Sequence, residues 1–455
     1  MMPSRALCAL PLFCAVAAVA GPKLSYDDGT RSLEITGSAQ VWAAGTYDLY
    51  NSTSGTKVDP RADIYLRRLS LAFKGQAYTD LSYQISLEMD NVGKDSLTGL
   101  IGGPQNSNPT GIQIYDAFFG WKAFGDYANV TFGIFRPVLS RSLITSATSL
   151  TSLDNSLGYS YERDALFTQS TARASGVNMG GQYVDTTHAF AVGYDAGVFD
   201  PFQDKNSATA TPTASPVWSP MFTGRLSVTY GDPESKSYTT GRSDNSLGAR
   251  NGITLGGFAS WQGPTSLKID SATTISTTGK GATKTSGMAY DTVLSKTTYK
   301  YLGGFRRNAV YGGDVFAEFH RFTFDAEAAW LYRSFYAGDV ALMAAKKIAA
   351  ASDYTDFTWH VRAAYAIPVG KTFIEPSAMF TRFDADNQSI LYPAGTDRQI
   401  DLGINWYLQK NNVKVSLHWI GQDGDVSSYY QSKAVSGGTL RMRDDCYVAA
   451  VQLNY

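Results

Sequence analysis

Arginine is the residue type in this sequence whose positions most clearly indicate a binding function. Four arginines occur in or next to the segment 136–172, which is rich in Ser, Thr and Leu and lacks strand periodicity: Arg136, Arg141, Arg163 and Arg173. A guanidinium offers a planar fork that can bind a phosphate or a carboxylate through two hydrogen bonds. The same segment contains acids: Asp154, Glu162 and Asp164. Two interpretations therefore stay open, since the arginines either bind an anion or form ion pairs that fix the segment in place.

Residue types of catalytic and metal sites do not group together. The four histidines are scattered, and none has a second ligand at a metal-binding spacing: His188, His320, His360 and His418. No Ser-His-acid grouping is recognisable, and the glycines at 176–181 lack the lysine and the helix pattern of a phosphate loop. We therefore expect neither an enzyme nor a cofactor. A hydrolytic activity lost on changing His188 or His320 would contradict this.

The first twenty residues predict export. Residues 1–20 contain one basic residue, an apolar run and small residues before Gly21, the pattern of a cleaved secretory signal peptide. Two of the three cysteines fall in this segment, so the mature chain would retain Cys446 alone and no internal disulfide. We expect one exported domain, 21–455.

The composition excludes some classes of partner and of membrane protein. With 39 Lys+Arg and 40 Asp+Glu, the formal net charge is −1, which gives no overall attraction to nucleic acid. The predicted mature chain has no window of the ~18 consecutive apolar residues that a transmembrane helix needs. The mean hydropathy of −0.18 is spread over short segments. That distribution is typical of a barrel with one face in lipid and the other in water.

Apolar and polar residues alternate with the period of a β-strand in about sixteen segments, each near the ~9–11 residues that a tilted strand needs to cross a membrane. The alternation is clear from Leu81 to Asp90, from Phe322 to Trp330 and from Val413 to Trp419. We therefore predict an all-β fold, an antiparallel transmembrane β-barrel of about sixteen strands.

The connections between these segments alternate in length. Short turns are predicted near 75–79, 124–128, 185–188, 320–321, 367–371 and 409–411. Long loops are predicted near 45–60, 91–111, 136–172, 200–221, 262–308, 334–355, 384–397 and 421–443. Short turns at one end and long loops at the other are the plan of an outer-membrane barrel. The connection 231–249 is long where a short turn is expected, and only the tolerance of exposed loops to insertion accounts for it.

The last strand favours a closed barrel over a soluble β-sandwich. Residues 446–455, CYVAAVQLNY, form a strand whose apolar face ends on Tyr455. In a barrel the last strand must pair with the first so that no edge is left, whereas a sandwich has no such requirement. Aromatic residues also concentrate near segment ends, as in the girdles of membrane barrels.

Short motifs with a family likeness are spread over the mature chain. They are RRLSLAFKG from Arg67, DAFFGWK from Asp116, FGIFRP from Phe132 with the long segment that follows, and the terminal Tyr455. In these motifs the sequence resembles bacterial porins, and specifically the phosphate-selective porin O and P family. The resemblance implies a homotrimer of sixteen-stranded barrels, with the third long loop folded inward as a constriction. It also implies passive diffusion across the outer membrane, and in anion-preferring members lumenal Arg and Lys guide the solute.

Strand parity places charges of both signs in the interior, including acids such as Glu88 and Asp401. A charge acts through a lower effective dielectric where the pore is narrow, and Arg136 and Arg141 open the long segment where the fifth strand ends. The residues predicted to line the constriction or guide anions are Arg136, Arg141, Arg163, Arg173, Arg68, Lys122, Arg225 and Arg362. The mixture of signs leaves a preference for phosphate open.

Two functions remain. The first is an outer-membrane porin, trimeric and without cofactor, through which small hydrophilic solutes or inorganic anions diffuse. The second is a plugged barrel that acts as a surface adhesin or receptor through its long loops, such as 262–308. Open conductance of the reconstituted protein would separate them.

Overall fold

The computed structural model describes residues 21–27, 30–51, 60–94, 111–167, 171–201, 218–265, 268–277, 293–303, 305–338, 340–341, 352–389, 392, 394–424, 433–435 and 438–455. The predicted signal peptide, 1–20, lies outside the described residues. Parts of several predicted long loops lie outside them as well.

The described elements follow one another along the chain: β1 (Lys23–Tyr26), β2 (Arg31–Asn51), β3 (Arg61–Tyr78), β4 (Leu81–Val92), β5 (Gln113–Phe124), β6 (Ala128–Phe135), α1 (Arg141–Ile144), α2 (Leu157–Leu166), β7 (Ala174–Asp185), β8 (Phe190–Asp200), β9 (Met221–Gly231), β10 (Gly252–Gln262), β11 (Lys268–Thr277), β12 (Val293–Gly303), β13 (Arg307–Phe319), β14 (Phe322–Ser334), β15 (Tyr354–Tyr365), β16 (Ile367–Val369), β17 (Thr372–Ala385), β18 (Gly395–Tyr407), β19 (Val413–Gly424), β20 (Lys433–Val435) and β21 (Gly438–Asn454). Among the described residues, no helix combines the length and the apolar character needed to cross a membrane.

The strands bury their polar face and expose their apolar face. In β18, Leu402, Ile404 and Trp406 are exposed, whereas Asp401 and Asn405 are almost completely buried. A soluble domain would show the opposite arrangement, because its apolar side chains leave water on folding. The alternation therefore gives the barrel an apolar outer surface, which suits contact with lipid, and a polar interior.

Sixteen long strands close into one antiparallel ring. The ring runs from β2 through β10 in chain order, then through β13, β14, β15, β17, β18, β19 and β21. It closes where β21 pairs with β2, and Gly37 and Tyr455 exchange two backbone hydrogen bonds of 3.0 Å. The strands β1, β16 and β20 are short additions, and β11 and β12 form a separate hairpin. The predicted sixteen-stranded barrel is confirmed.

The connections follow the predicted plan in most places. Turns of a few residues join β3 to β4, β5 to β6, β7 to β8, β13 to β14 and β18 to β19. The loop predicted at 45–60 begins later, because pairing with β21 extends β2 to Asn51. The hairpin β11–β12 occupies much of the predicted loop 262–308. The connection 232–251 joins β9 to β10 at the end of the barrel where the short turns lie.

One of the short turns has left-handed backbone at two residues that are not glycine. His320 and Arg321 join β13 to β14 with φ of 46° and 77°, the left-handed pair of a two-residue hairpin turn that favours Asn-Gly. A Cβ in this conformation costs about 1–2 kcal/mol, and glycine has none. We expect the variant Arg321→Gly to unfold with a free energy about 1 kcal/mol higher than the variant Arg321→Ala. Urea unfolding in lipid vesicles measures the difference, and equal stabilities would show that the turn is unstrained.

Candidate functional site

The segment between β6 and β7 is bonded to interior-facing side chains from distant parts of the ring. The amide of Ser142 donates to the Glu327 carboxylate on β14, at 3.0 Å. The amide of Leu153 donates to Asp401 on β18, at 2.9 Å. Lys414 on β19 donates to the carbonyl of Leu150, at 3.1 Å. These bonds satisfy backbone groups that would otherwise be buried without partners.

Two capped helices give this segment its shape. The hydroxyl of Ser140 accepts a hydrogen bond from the Leu143 amide and begins α1, and Ser156 begins α2 in the same way. The Ser140 hydroxyl also donates to the Glu162 carboxyl on α2. Burial, together with nearby Glu327, raises the pKa of Glu162 well above its ordinary value. The protonated form is thereby favoured, so Glu162 offsets little of the arginine charge.

An apolar core fixes the helices against the strands. Leu139, Leu143 and Tyr161 are 1% exposed or less, and Tyr161 stacks on Phe383 of β17. This core also includes Phe258 and Val310, which lie on β10 and β13. The segment is therefore packed like a domain interior, and its position is defined by contacts rather than by its two attachment points.

A single acid in the segment holds two adjacent arginines of β3. Asp154 accepts from Arg67 at 2.9 Å and from Arg68 at 2.7 Å. Burial alone would raise the pKa of Asp154, but the two guanidiniums hold it well below its ordinary value. Both arginines face the interior because the ladder with β2 shifts register at this point, with Gln40 opposite Arg68 and Val41 opposite Leu66.

Arg141 is buried and forms ion pairs with three acids. It is 1% exposed and lies 3.0 Å from Glu234, 3.2 Å from Asp244 and 3.4 Å from Asp325. Its guanidinium also lies 3.6 Å from the centre of the Phe316 ring. For this residue the structure favours the interpretation in which arginine fixes the segment in place.

Two more of the predicted residues are paired in the same manner. Arg225 forms a two-point pair with Asp314, at 2.6 and 2.8 Å. Arg362 lies 2.5 Å from Asp244 and 3.1 Å from Asp325. Arg141, Arg225 and Arg362 are all almost completely buried, and none of the three lines either of the cavities described next.

Two polar cavities lie between the segment and the barrel wall, the first against β2 to β5, β18, β19 and β21, and the second against β4 to β6. The first, of about 600 Å³, is lined by Arg67, Arg68, Asp154 and Arg163 among others. The second, of about 430 Å³, is lined by Lys122 and by residues 238–242 of the long connection. The two cavities have five lining residues in common: Gln84, Asp116, Arg136, Ser146 and Arg173. We call these shared residues the junction.

The junction brings two guanidiniums together with one carboxylate. Arg173 lies 3.2 Å from Asp116 and 3.9 Å from the centre of the Tyr115 ring. Arg136 instead donates to the carbonyls of Leu143 and Thr145, at 2.8 Å each. Within the described part of the chain, no ion pair is found for Arg136. The junction therefore carries a net positive charge where the two polar cavities meet.

Comparison with known proteins agrees with the closed β-barrel and its polar interior. The family model for phosphate-selective porin O and P matches residues 42–444. The chain belongs to this family. With its closed barrel, it is an outer-membrane channel of the porin type.

Several solved structures are similar to this porin at low sequence identity. The anion-selective porin from Comamonas acidovorans has 13% identity and a TM-score of 0.51, with 93% of this chain and 100% of that chain covered. OmpT of Vibrio cholerae has 11% identity and a TM-score of 0.47, with 95% and 100% covered. The outer-membrane channel DcaP of Acinetobacter baumannii has 11% identity and a TM-score of 0.46, with 96% and 100% covered. No curated protein sequence matches the porin.

Five of the eight predicted residues line the cavities of the porin. Arg136 and Arg173 belong to the junction, Arg68 and Arg163 line the first cavity, and Lys122 lines the second. Sequence reasoning missed Arg67, although two adjacent arginines in an alternating strand are a visible sign of a bulge. It also missed Arg242, for which a one-dimensional pattern gives no sign.

Proposed function

We propose that small hydrophilic anions diffuse through this porin along the two cavities, and that the segment 136–172 is the constriction. The observation that carries the proposal is the junction, where Arg136 has no acidic partner among the described residues and Arg173 shares Asp116 with Ser86. Arg136 and Arg173 guide anions at the junction. Arg68 and Arg163 do so in the first cavity, and Lys122 does so in the second.

The charge balance near the junction supports anions over cations. Asp116 accepts from Arg173 and from the hydroxyl of Ser86, at 2.8 Å, so its oxygens are already engaged. The Nε of Arg136 is buried and has no hydrogen-bond partner among the residues that the structure describes. A guanidinium stays protonated in proteins, and at short range its charge attracts anions even through the water of the passage. Phosphate suits a passage lined by several arginines, because its oxygens accept charge-assisted hydrogen bonds from guanidinium groups.

The wider setting of the proposal is an exported homotrimer in outer-membrane lipid, made after cleavage of the signal peptide 1–20 and acting without a cofactor. The family and the fold point to a channel rather than to an enzyme. No observation favours the adhesin or receptor as a second candidate.

Ion selectivity of the purified protein tests the proposal. We expect a planar bilayer across a KCl gradient to give a zero-current potential of anion sign, and phosphate to block the open-channel current in a saturable manner. A potential near zero or of cation sign, without block by phosphate, would show that the acids of the interior outweigh the junction. A protein without any conductance would reject the channel and return the adhesin to consideration.

A further inference from the structure

The connection 232–251 is fixed to the interior of the barrel at two separate places. On one side, the Tyr238 hydroxyl donates to Asp195 of β8 at 2.5 Å and accepts from Asn178 of β7 at 3.0 Å. On the other, Asn245 donates at 2.8 Å to Glu375 of β17 and to the Tyr407 hydroxyl of β18. All four wall residues are buried. A connection held in this way does not behave as a solvent-exposed insertion.

The same connection is joined to the segment 136–172. The amide of Arg242 donates to the Ile144 carbonyl at 3.1 Å, and the amide of Ser146 donates to the Arg242 carbonyl at 3.0 Å. Glu234 and Asp244 add the ion pairs with Arg141. Although burial of Glu234 would raise its pKa, Arg141 and Arg242 lower it to about 2. The two connections begin at opposite ends of the barrel and are bonded to each other inside it.

The meeting point lies beside the second cavity. Residues Tyr238, Thr239, Thr240, Gly241 and Arg242 all line this cavity. The guanidinium of Arg242 donates to the carbonyls of Thr239, at 2.5 Å, and Gly241, at 3.1 Å. Its distance to Glu234 is 4.0 Å, the outer limit of an ion pair. Arg242 and Lys122 therefore place two cationic groups along this cavity, and Asp116 of the junction is its lining carboxylate.

We propose that the connection 232–251 is a second constriction element, which closes the passage from the end with short turns, and that Arg242 is a specificity-determining residue of that element. An anion that leaves the junction passes Arg242 before it reaches the exit. The long connection at 231–249, which alternation alone does not explain, thereby acquires a role. The inference rests on the proposed passage through the two cavities.

Charge substitutions within the connection test the inference. We expect Arg242→Gln to lower the anion-to-cation permeability ratio about twofold or more, and Arg242→Lys to keep it near the wild-type value, because a cation beside the passage attracts anions. Lys236→Gln is the matched control, since it removes one positive charge from an exposed position of the same connection that lines neither cavity. Zero-current potentials in a planar bilayer give the permeability ratio of the wild type and of the three variants.

The outcomes separate this inference from the proposed function. An anion-preferring wild type whose ratio is the same in Arg242→Gln and Lys236→Gln would overturn the second constriction and leave the proposed function intact. A wild type without anion preference whose ratio still falls in Arg242→Gln alone would support the second constriction while rejecting the proposed preference. A wild type that does not conduct would overturn both.

Discussion

The variant Arg136→Gln should lower the anion-to-cation permeability ratio of this porin about fivefold. At ~6 Å from an ion, in a water-filled passage with an effective dielectric of ~60, a unit charge contributes about 0.9 kcal/mol, which salt at 0.1 M reduces to about 0.5 kcal/mol. The contribution has opposite signs for anions and cations, so the ratio changes by about 1 kcal/mol, or about fivefold. Zero-current potentials at 0.1 M mean KCl measure this ratio, and the effect should shrink at 1 M.

A matched arginine outside the passage serves as the control for this variant. Arg307 begins β13, is exposed, and lines neither cavity. Arg307→Gln should leave the ratio at the wild-type value. If Arg136→Gln and Arg307→Gln behave alike, Arg136 does not face the ion path and the assignment of the junction is wrong.

The variant Arg141→Gln should instead loosen the interior of the barrel. It leaves Glu234 with Arg242 at 4.0 Å and leaves Asp244 and Asp325 sharing Arg362, in a site where Arg141 is 1% exposed. Removing one partner from a buried pair costs about 3–5 kcal/mol. We expect a lower midpoint of urea unfolding in lipid vesicles, and single-channel currents that are larger and noisier than those of the wild type.

A weak ion pair in the same segment provides the comparison. Arg163 lies 3.0 Å from its neighbour Asp164, and their side chains are 20% and 39% exposed. A pair of this kind contributes about 0–1 kcal/mol, so Arg163→Gln should shift the unfolding midpoint little. Equal midpoints for Arg141→Gln and Arg163→Gln would show that the buried network does not hold the segment. The Glu234–Arg141 ion pair should also resist acid. Because the pKa of Glu234 is lowered to about 2, its carboxylate stays ionised in the folded protein until the pH falls close to that value.

The sequence predicts the barrel well because strand alternation is a local property. Each stretch such as Leu81–Asp90 carries its own period, and neither its pairing partner nor its distance along the chain is needed to recognise it. The length of a connection can also be read from the residues between two such stretches, so the sequence predicts most of the short turns correctly. The closed ring follows because sixteen strands in a membrane leave no alternative for their edges.

The charge pairs could not be predicted, because their partners are distant in sequence. Arg136 and Arg141 look equivalent as neighbours at the start of one segment. The structure separates them, because acids about a hundred residues later reach Arg141, whereas Arg136 donates only to carbonyls within the part of the chain that the structure describes. For the same reason, the sequence alone does not distinguish the connection that supplies Glu234 and Asp244 from an exposed insertion. Strand parity gives the face of a side chain and not its partner across the interior.

The closure of the ring has a consequence for how the molecule is built. β2 and β21 complete the barrel, and the side chains of Gln40 and Gln452, 412 positions apart, hydrogen bond at 2.6 Å. Contacts between such distant parts of a chain form slowly, because the entropy of closing the intervening loop is lost first. Until they form, the sheet has two open edges whose amides and carbonyls cannot remain unpaired in hydrocarbon. The pairing of β2 with β21 is therefore expected to be coupled to insertion, so that the barrel enters the membrane as a nearly complete ring.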